Sequence, residues 1–182
     1  MGRFDEAIRE SDRARHLDPL SLVIATDGAV LSYYSRQYDR AIQQFHDVIE
    51  LDPRFPRVSK VAYAYVEKGM FAEALAATES SARAHGPYYW AQLAFIYGRS
   101  GRQEKARLAL AKLDDLSRVH QLDPFAFVLA YLGIGDKKKT LDWLDKAYAQ
   151  HSNVMTTLKV DPIFDSMRSD PHFRDLVHRV GL

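Results

Sequence analysis

Residues 38–53 read YDRAIQQFHDVIELDP and residues 4–19 read FDEAIRESDRARHLDP. The two align without gaps at an offset of 34, with Asp5/Asp39, Ala7/Ala41, Ile8/Ile42, Leu17/Leu51, Asp18/Asp52 and Pro19/Pro53 in register. In the later copy Ala41, Ile42, Phe45 and Val48 recur at three- and four-residue steps, which puts them on one face of an α-helix. Self-similarity at a fixed period of this size is the signature of a repeated supersecondary unit, so the period decides the fold before any single element does.

The same punctuation continues along the chain. Tight turns align at Gly2-Arg3-Phe4, Arg36-Gln37-Tyr38, Gly69-Met70-Phe71, Gly101-Arg102-Gln103 and Gly135-Asp136-Lys137, at intervals of 34, 33, 32 and 34 residues. Each turn opens a helix with small or apolar residues on one face: Ala7-Ile8, Ala41-Ile42, Ala74-Leu75, Ala106-Leu110-Leu113 and Leu141-Leu144-Ala147. Each turn after the first closes another, over 22–34, 56–67, 88–99 and 124–133. The pattern predicts an all-α chain of helical hairpins. Asp18-Pro19, Asp52-Pro53, Asp123-Pro124, Asp161-Pro162 and Asp170-Pro171 read as helix-end marks, a capping carboxylate before a proline that is tolerated at the first helical position but ends any helix running into it.

Composition narrows the function classes. Of 182 residues 47% are apolar and 27% charged, an ordinary globular balance. Twenty-five basic against twenty-four acidic residues give a formal charge of +1, with no broad electrostatic footprint for nucleic acid or an anionic membrane. The chain has no cysteine, which excludes a disulfide framework, a zinc ribbon and a thiol nucleophile together. No apolar run of about eighteen residues appears, and the charged N-terminus MGRFDEAIRE lacks a secretory apolar segment, so a cytoplasmic location is the default expectation.

These residues resemble tetratricopeptide repeats, whose first helix carries W-x₂-L-G-x₂-Y and whose second carries small residues and a closing proline. The fourth unit has Trp90-x₂-Leu93-Ala94-x₂-Tyr97, then Gly101 and Ala106; the second has Gly28/Ala29, Tyr38, Ala41, Phe45 and Asp52-Pro53. The third has Val61-Ala62-x₂-Tyr65, Gly69, Phe71 and Ala74; the fifth keeps Phe127, Tyr131, Gly135 and Ala147 but places Thr140 where the small Ala belongs. The resemblance implies a right-handed superhelical solenoid of hairpins with a C-terminal capping helix. As one domain over 1–182 it divides into a half repeat 2–19, repeats 20–53, 54–86, 87–121 and 122–151, and a cap 152–182 carrying Phe173, Leu176, Val177 and Val180 at helical spacing. The closing segment TLKVDPIFDSMRSDPHFRDLVHRVGL looks like the end of such arrays in bacterial signalling proteins that carry a winged-helix or kinase domain upstream. Residues 2–17 read as the second helix of a hairpin without its first, which suggests a piece of a longer solenoid or an N-terminally truncated reading frame. That edge, with Phe4, Ala7, Ile8 and Leu17, either frays or is covered by a second copy of the chain.

By the same resemblance, the first helices line a concave surface. Thr26, Val30, Tyr33 and Tyr34 face it from the second unit, Ser59, Tyr63, Val66 and Glu67 from the third, Tyr88, Ala91, Phe95, Gly98 and Arg99 from the fourth, and Phe125 and Leu129 from the fifth. Tyr33, Tyr63, Tyr88 and Phe95 make that surface aromatic, the side-chain type enriched in binding hot spots, although aromatics at helical spacing are more often core. The expectation is a noncatalytic module that binds a protein or peptide, without cofactor or metal, and without nucleic acid or membrane partners. A small-ligand sensor and an RNA-reading helical repeat are the alternatives, the latter disfavoured by the charge balance. Lys60, Gln92 and Arg99 lack the asparagine partners of a clamp for a terminal carboxylate. Seven histidines show no HExxH, no Walker loop or GxSxG is present, and Asp161, Asp165 and Asp170 lack calcium-loop spacing. Asp114-Asp115, His172 and His178 read as solvated, and Lys137-Lys138-Lys139 sits oddly at a helix start, where cations oppose the dipole.

Overall fold

The computed structural model describes residues 3–55, 57–80 and 86–182. Gly2 of the first turn and Pro56 at the start of one expected helix lie outside the described residues. The chain divides into two compact units, Met1–Ala84 and His85–Leu182.

The first unit holds α1 (Phe4–Leu17), α2 (Leu22–Tyr34), α3 (Tyr38–Leu51), a 3₁₀ turn (Val58–Lys60) running into α4 (Val61–Glu67), and α5 (Phe71–Glu79). Each helix packs on the next in sequence. Ala29, Ala41 and Ala74 are fully enclosed, because small side chains let the helix axes of a hairpin approach closely, and Phe45 and Val48 fill the space beside them. The buried Ser32 hydroxyl donates to Gln44 Oε1 at 2.7 Å, so α2 and α3 satisfy each other's polar atoms inside the core. Across one repeat, Arg15 bonds Asp47 at 3.0 Å and Arg40 bonds Asp12 at 2.6 Å, tying α1 to α3.

The second unit holds α6 (Pro87–Arg99), α7 (Gln103–Ser117), α8 (Pro124–Ile134), α9 (Lys137–Ala149), two 3₁₀ segments (Asn153–Thr157 and Pro162–Met167) and α10 (Pro171–Arg179). Gly98 and Gly133 face each other where α6 meets α8. Thr140 is fully buried, and its hydroxyl donates to the Asp136 carbonyl at 2.8 Å, so the larger residue in the alanine position is accommodated by back-bonding within α9. α10 packs on α9; Phe173 and Leu176 are buried, with Val177 and Val180 half-buried, and the Phe173 ring lies 5.6 Å from that of Phe164.

The turns repeat at backbone level as well. Arg36, Gly69, Gly101 and Gly135 adopt φ of 65°, 74°, 77° and 86°, the left-handed conformation that ends a helix, and Arg36 does so without the freedom of glycine.

The Asp-Pro steps divide into two kinds. Asp123, Asp161 and Asp170 each accept a backbone N–H at a helix start, as expected. Asp18 and Asp52 do not open helices; they end α1 and α3, their own N–H groups donating to Ala14 and Val48. Helix α2 instead begins at Ser21, whose hydroxyl accepts from Ile24. The helix expected over 56–67 starts as the 3₁₀ turn at Val58, with no side-chain cap to organise its first turn.

Candidate functional site

On the face shared by α2 and the start of α4, the Lys60 ammonium stands over three rings, 5.3 Å from the centroid of Tyr33, 5.0 Å from Tyr34 and 5.5 Å from Tyr63. Tyr33 is 0% exposed and Tyr63 is buried, while Tyr34 and Lys60 are half-buried. The cluster is therefore a floor of core aromatics with a cation and one ring reaching toward solvent. Each contact at such distance contributes about 0.5–1 kcal/mol at partly exposed positions. Thr26 is buried and its hydroxyl bonds the Leu22 carbonyl at 2.6 Å, while Glu67 is half-buried at the end of α4.

Ser59 takes a different position. It lines a cavity of about 410 Å³ between α3, α4 and α5, together with Val61 and Tyr65. On a helix, residues 61 and 65 share a face and 63 points nearly the opposite way. The tyrosine–lysine cluster and this cavity therefore lie on opposite sides of α4.

In the second unit, Tyr88, 37% exposed, donates its hydroxyl to Asp123 Oδ2 at 2.8 Å and sets its ring 6.3 Å from Phe125. Asp123 Oδ1 accepts the Phe125 N–H at 3.0 Å and the Ser152 hydroxyl at 2.9 Å. Phe95 is fully buried beneath the exposed Arg99, whose guanidinium lies 5.5 Å from the ring centroid. Of the aromatics singled out in sequence, Tyr33, Tyr63 and Phe95 thus serve the core at least as much as a surface, and Tyr34, Tyr88 and Phe125 are the ones solvent reaches.

The charged features find local partners. Asp136 caps α9 by accepting from Lys139 N, Lys138 pairs with Asp142 at 3.0 Å, and Lys139 covers the Tyr131 ring at 4.9 Å, so two of the three lysines at this helix start have local partners. His172 and His178 are exposed, and His172 Nε2 lies 2.9 Å from Asp145. Burial pushes the Asp114 carboxyl above its usual range, with Arg118 and Lys139 opposing and Asp115 adding to the rise. At Leu17 the apolar edge of α1 is 77% exposed, whereas Ile8 is buried. Among the described residues no group of three or more His, Cys, Asp or Glu gathers in metal-binding geometry, and no helix is long and apolar enough to cross a membrane.

Two arrangements escaped sequence reasoning. No local pattern links Lys60 to tyrosines 26 and 27 positions upstream. The cavity was invisible for the same reason: His46 and Tyr65, bonded at 2.6 Å, belong to different hairpins.

No family model and no curated protein matches this chain. Solved structures do. A tetratricopeptide repeat protein from Parabacteroides merdae aligns over 98% of this chain and 72% of its own, with a TM-score of 0.55 at 10% identity. YrrB, described as a TPR protein with an unusual peptide-binding site, aligns over 93% of this chain and 90% of its own, with a TM-score of 0.51 at 16% identity. The fold is a helical-hairpin repeat of tetratricopeptide type.

Proposed function

We propose that the chain is a noncatalytic protein-interaction module, its hairpins forming one repeat array, and that it docks an extended or helical segment of a protein partner on the first-helix faces. The observation that carries this reading is the Lys60 ammonium over Tyr33, Tyr34 and Tyr63, which holds aromatic area and a cation in fixed positions where α2 meets α4. Rigid rings of this type lose little conformational entropy on contact, the property that makes them hot spots. The repeat fold supports an interaction role in general, and the peptide site named for YrrB belongs to that protein; a peptide partner for this chain rests on the cluster.

The test is selection of binders from a random peptide display library, followed by calorimetry with wild type, Tyr34→Ala and Lys60→Ala. Both positions reach solvent, so loss of affinity at preserved helicity places the peptide on this face. Unchanged affinity in both variants removes the reading. Self-association through the α1 edge is a separate proposal, motivated by the exposed Leu17 and Leu20, and a concentration-independent monomer mass by light scattering would refute it.

A further inference from the structure

The cavity behind α4 is built differently from the tyrosine face. Its volume of about 410 Å³ falls within the range of small-molecule sites, roughly 300–1,000 Å³. Ile49 of α3, Val61 of α4 and Ala77 of α5 give it apolar walls, and its polar lining is His46, whose Nε2 is bonded to the Tyr65 hydroxyl at 2.6 Å, with Glu73, Ser59 and Ser80. Tyr65 is buried whereas His46 and Glu73 are exposed, so the space is amphipathic, apolar within and polar toward water. On the α5 side the lining includes the small residues Ala76 and Ala77.

Charge selects among occupants. Among the described lining residues Glu73 alone carries a permanent charge at neutral pH, and it is negative. Glu73 and Tyr65 line the same cavity, and burial, then the Glu73 carboxylate, push the Tyr65 hydroxyl above its usual range. A carboxylate or phosphate in the cavity would meet repulsion, and a neutral apolar molecule would leave the carboxylate unused.

We infer that this cavity is a binding site for a small organic cation, an ammonium on an apolar or aromatic body, with the body between Ile49, Val61 and Ala77 and the ammonium beside Glu73 and the Tyr65 hydroxyl. The site is independent of the peptide face, from which α4 separates it.

The experiment is calorimetric titration of the full chain with three isosteric probes: 4-phenylbutylammonium, 4-phenylbutanol and 4-phenylbutanoate. The expected order is ammonium first, alcohol weaker by roughly fivefold, as a partly exposed ion pair contributes, and carboxylate weakest. Glu73→Gln, at an exposed position, brings the ammonium down to the alcohol. Ala77→Phe fills the space and removes binding of all three, with circular dichroism to verify the fold; should that variant not fold, Glu73→Gln decides. Absence of saturable ammonium binding, a carboxylate that binds as tightly as the ammonium, or an ammonium affinity indifferent to Glu73→Gln overturns the assignment.

Discussion

Gly98 of α6 and Gly133 of α8 touch backbone to backbone: a Cβ on Gly98 would lie 2.2 Å from the Gly133 carbonyl oxygen, and one on Gly133 would lie 2.3 Å from the Phe95 Cα. Neither obstacle is a side chain that can swing away, so the helices themselves would have to part. Gly98→Ala and Gly133→Ala are each expected to destabilise the second unit by about 3 kcal/mol, the upper end of ordinary overpacking, read as a lower urea midpoint. Gly28 is the control, since its added Cβ would meet the Ser11 hydroxyl at 2.9 Å, the end of a movable side chain. Gly28→Ala should change stability by less than about 1 kcal/mol, offset by the helix preference of alanine.

Replacing Lys60 by methionine keeps the stem and removes the charge from over Tyr33, Tyr34 and Tyr63. The expected loss is on the order of 1 kcal/mol, less than the sum of three separate contacts because the cation is half exposed. Lys60→Arg should keep most of it. Thermal unfolding of the three chains side by side gives the answer, and equal midpoints for the parent chain and Lys60→Met would show that the rings hold together without the cation.

Asp161 is 1% exposed and accepts the Ile163 N–H at 3.3 Å, while Arg168 reaches from the same segment to the Asp161 carbonyl at 3.2 Å, the Lys159 carbonyl at 2.7 Å and the Asp165 carboxylate at 2.6 Å. Asp161→Ala should cost about 1–2 kcal/mol, as loss of a helix cap does, and should loosen the cap segment first. Hydrogen exchange at Ile163 and Phe164 would report it. At Asp52, where the carboxylate bonds the Arg54 N–H of an exposed turn at 2.9 Å, the same substitution should be nearly silent.

Acid should act through Asp47 and not through Asp114. Burial pulls the Asp47 carboxyl upward, but hydrogen bonds from Gln43 and Arg15 and the Arg15 charge outweigh it and hold the group below its usual value. A depressed carboxylate contributes stability that is present above the unfolded value and is lost as pH falls through the folded one. Asp114, raised by desolvation, works in the opposite sense: the fold retains its proton more tightly than the unfolded chain, so stability falls as pH rises through that window. Asp47→Asn should therefore flatten the acid limb of a stability-against-pH curve. Asp114→Asn should slightly stabilise the chain at neutral pH and lose that advantage in acid.

The hairpins were legible because they rest on short-range signals: left-handed turn residues at Arg36, Gly69, Gly101 and Gly135, and alanines such as Ala41 and Ala74 where helices must close up. At Asp18 and Asp52 the step marks the end of one helix without capping the start of the next. The same Asp-Pro dipeptide caps a helix only when the chain turns helical at the proline, as at Pro124, and Pro19 and Pro53 instead enter turns that postpone the next helix. What sequence could not show is whatever needs two hairpins at once. Lys60 among three tyrosines, and His46 against Tyr65, are products of packing, and no local pattern carries them.

Asp123 joins three stretches of chain through one carboxylate: its own helix start at Phe125, Tyr88 from 35 residues before and Ser152 from 29 residues after. That makes it a gauge of hairpin length. Exchange of surface residues within either hairpin leaves the gauge reading true, whereas insertion or deletion of one residue rotates the following helix by about 100° and carries Tyr88 or Ser152 out of reach. In this unit, drift in composition is therefore far better tolerated than drift in count, which is how an array can keep its period after most of its letters have changed.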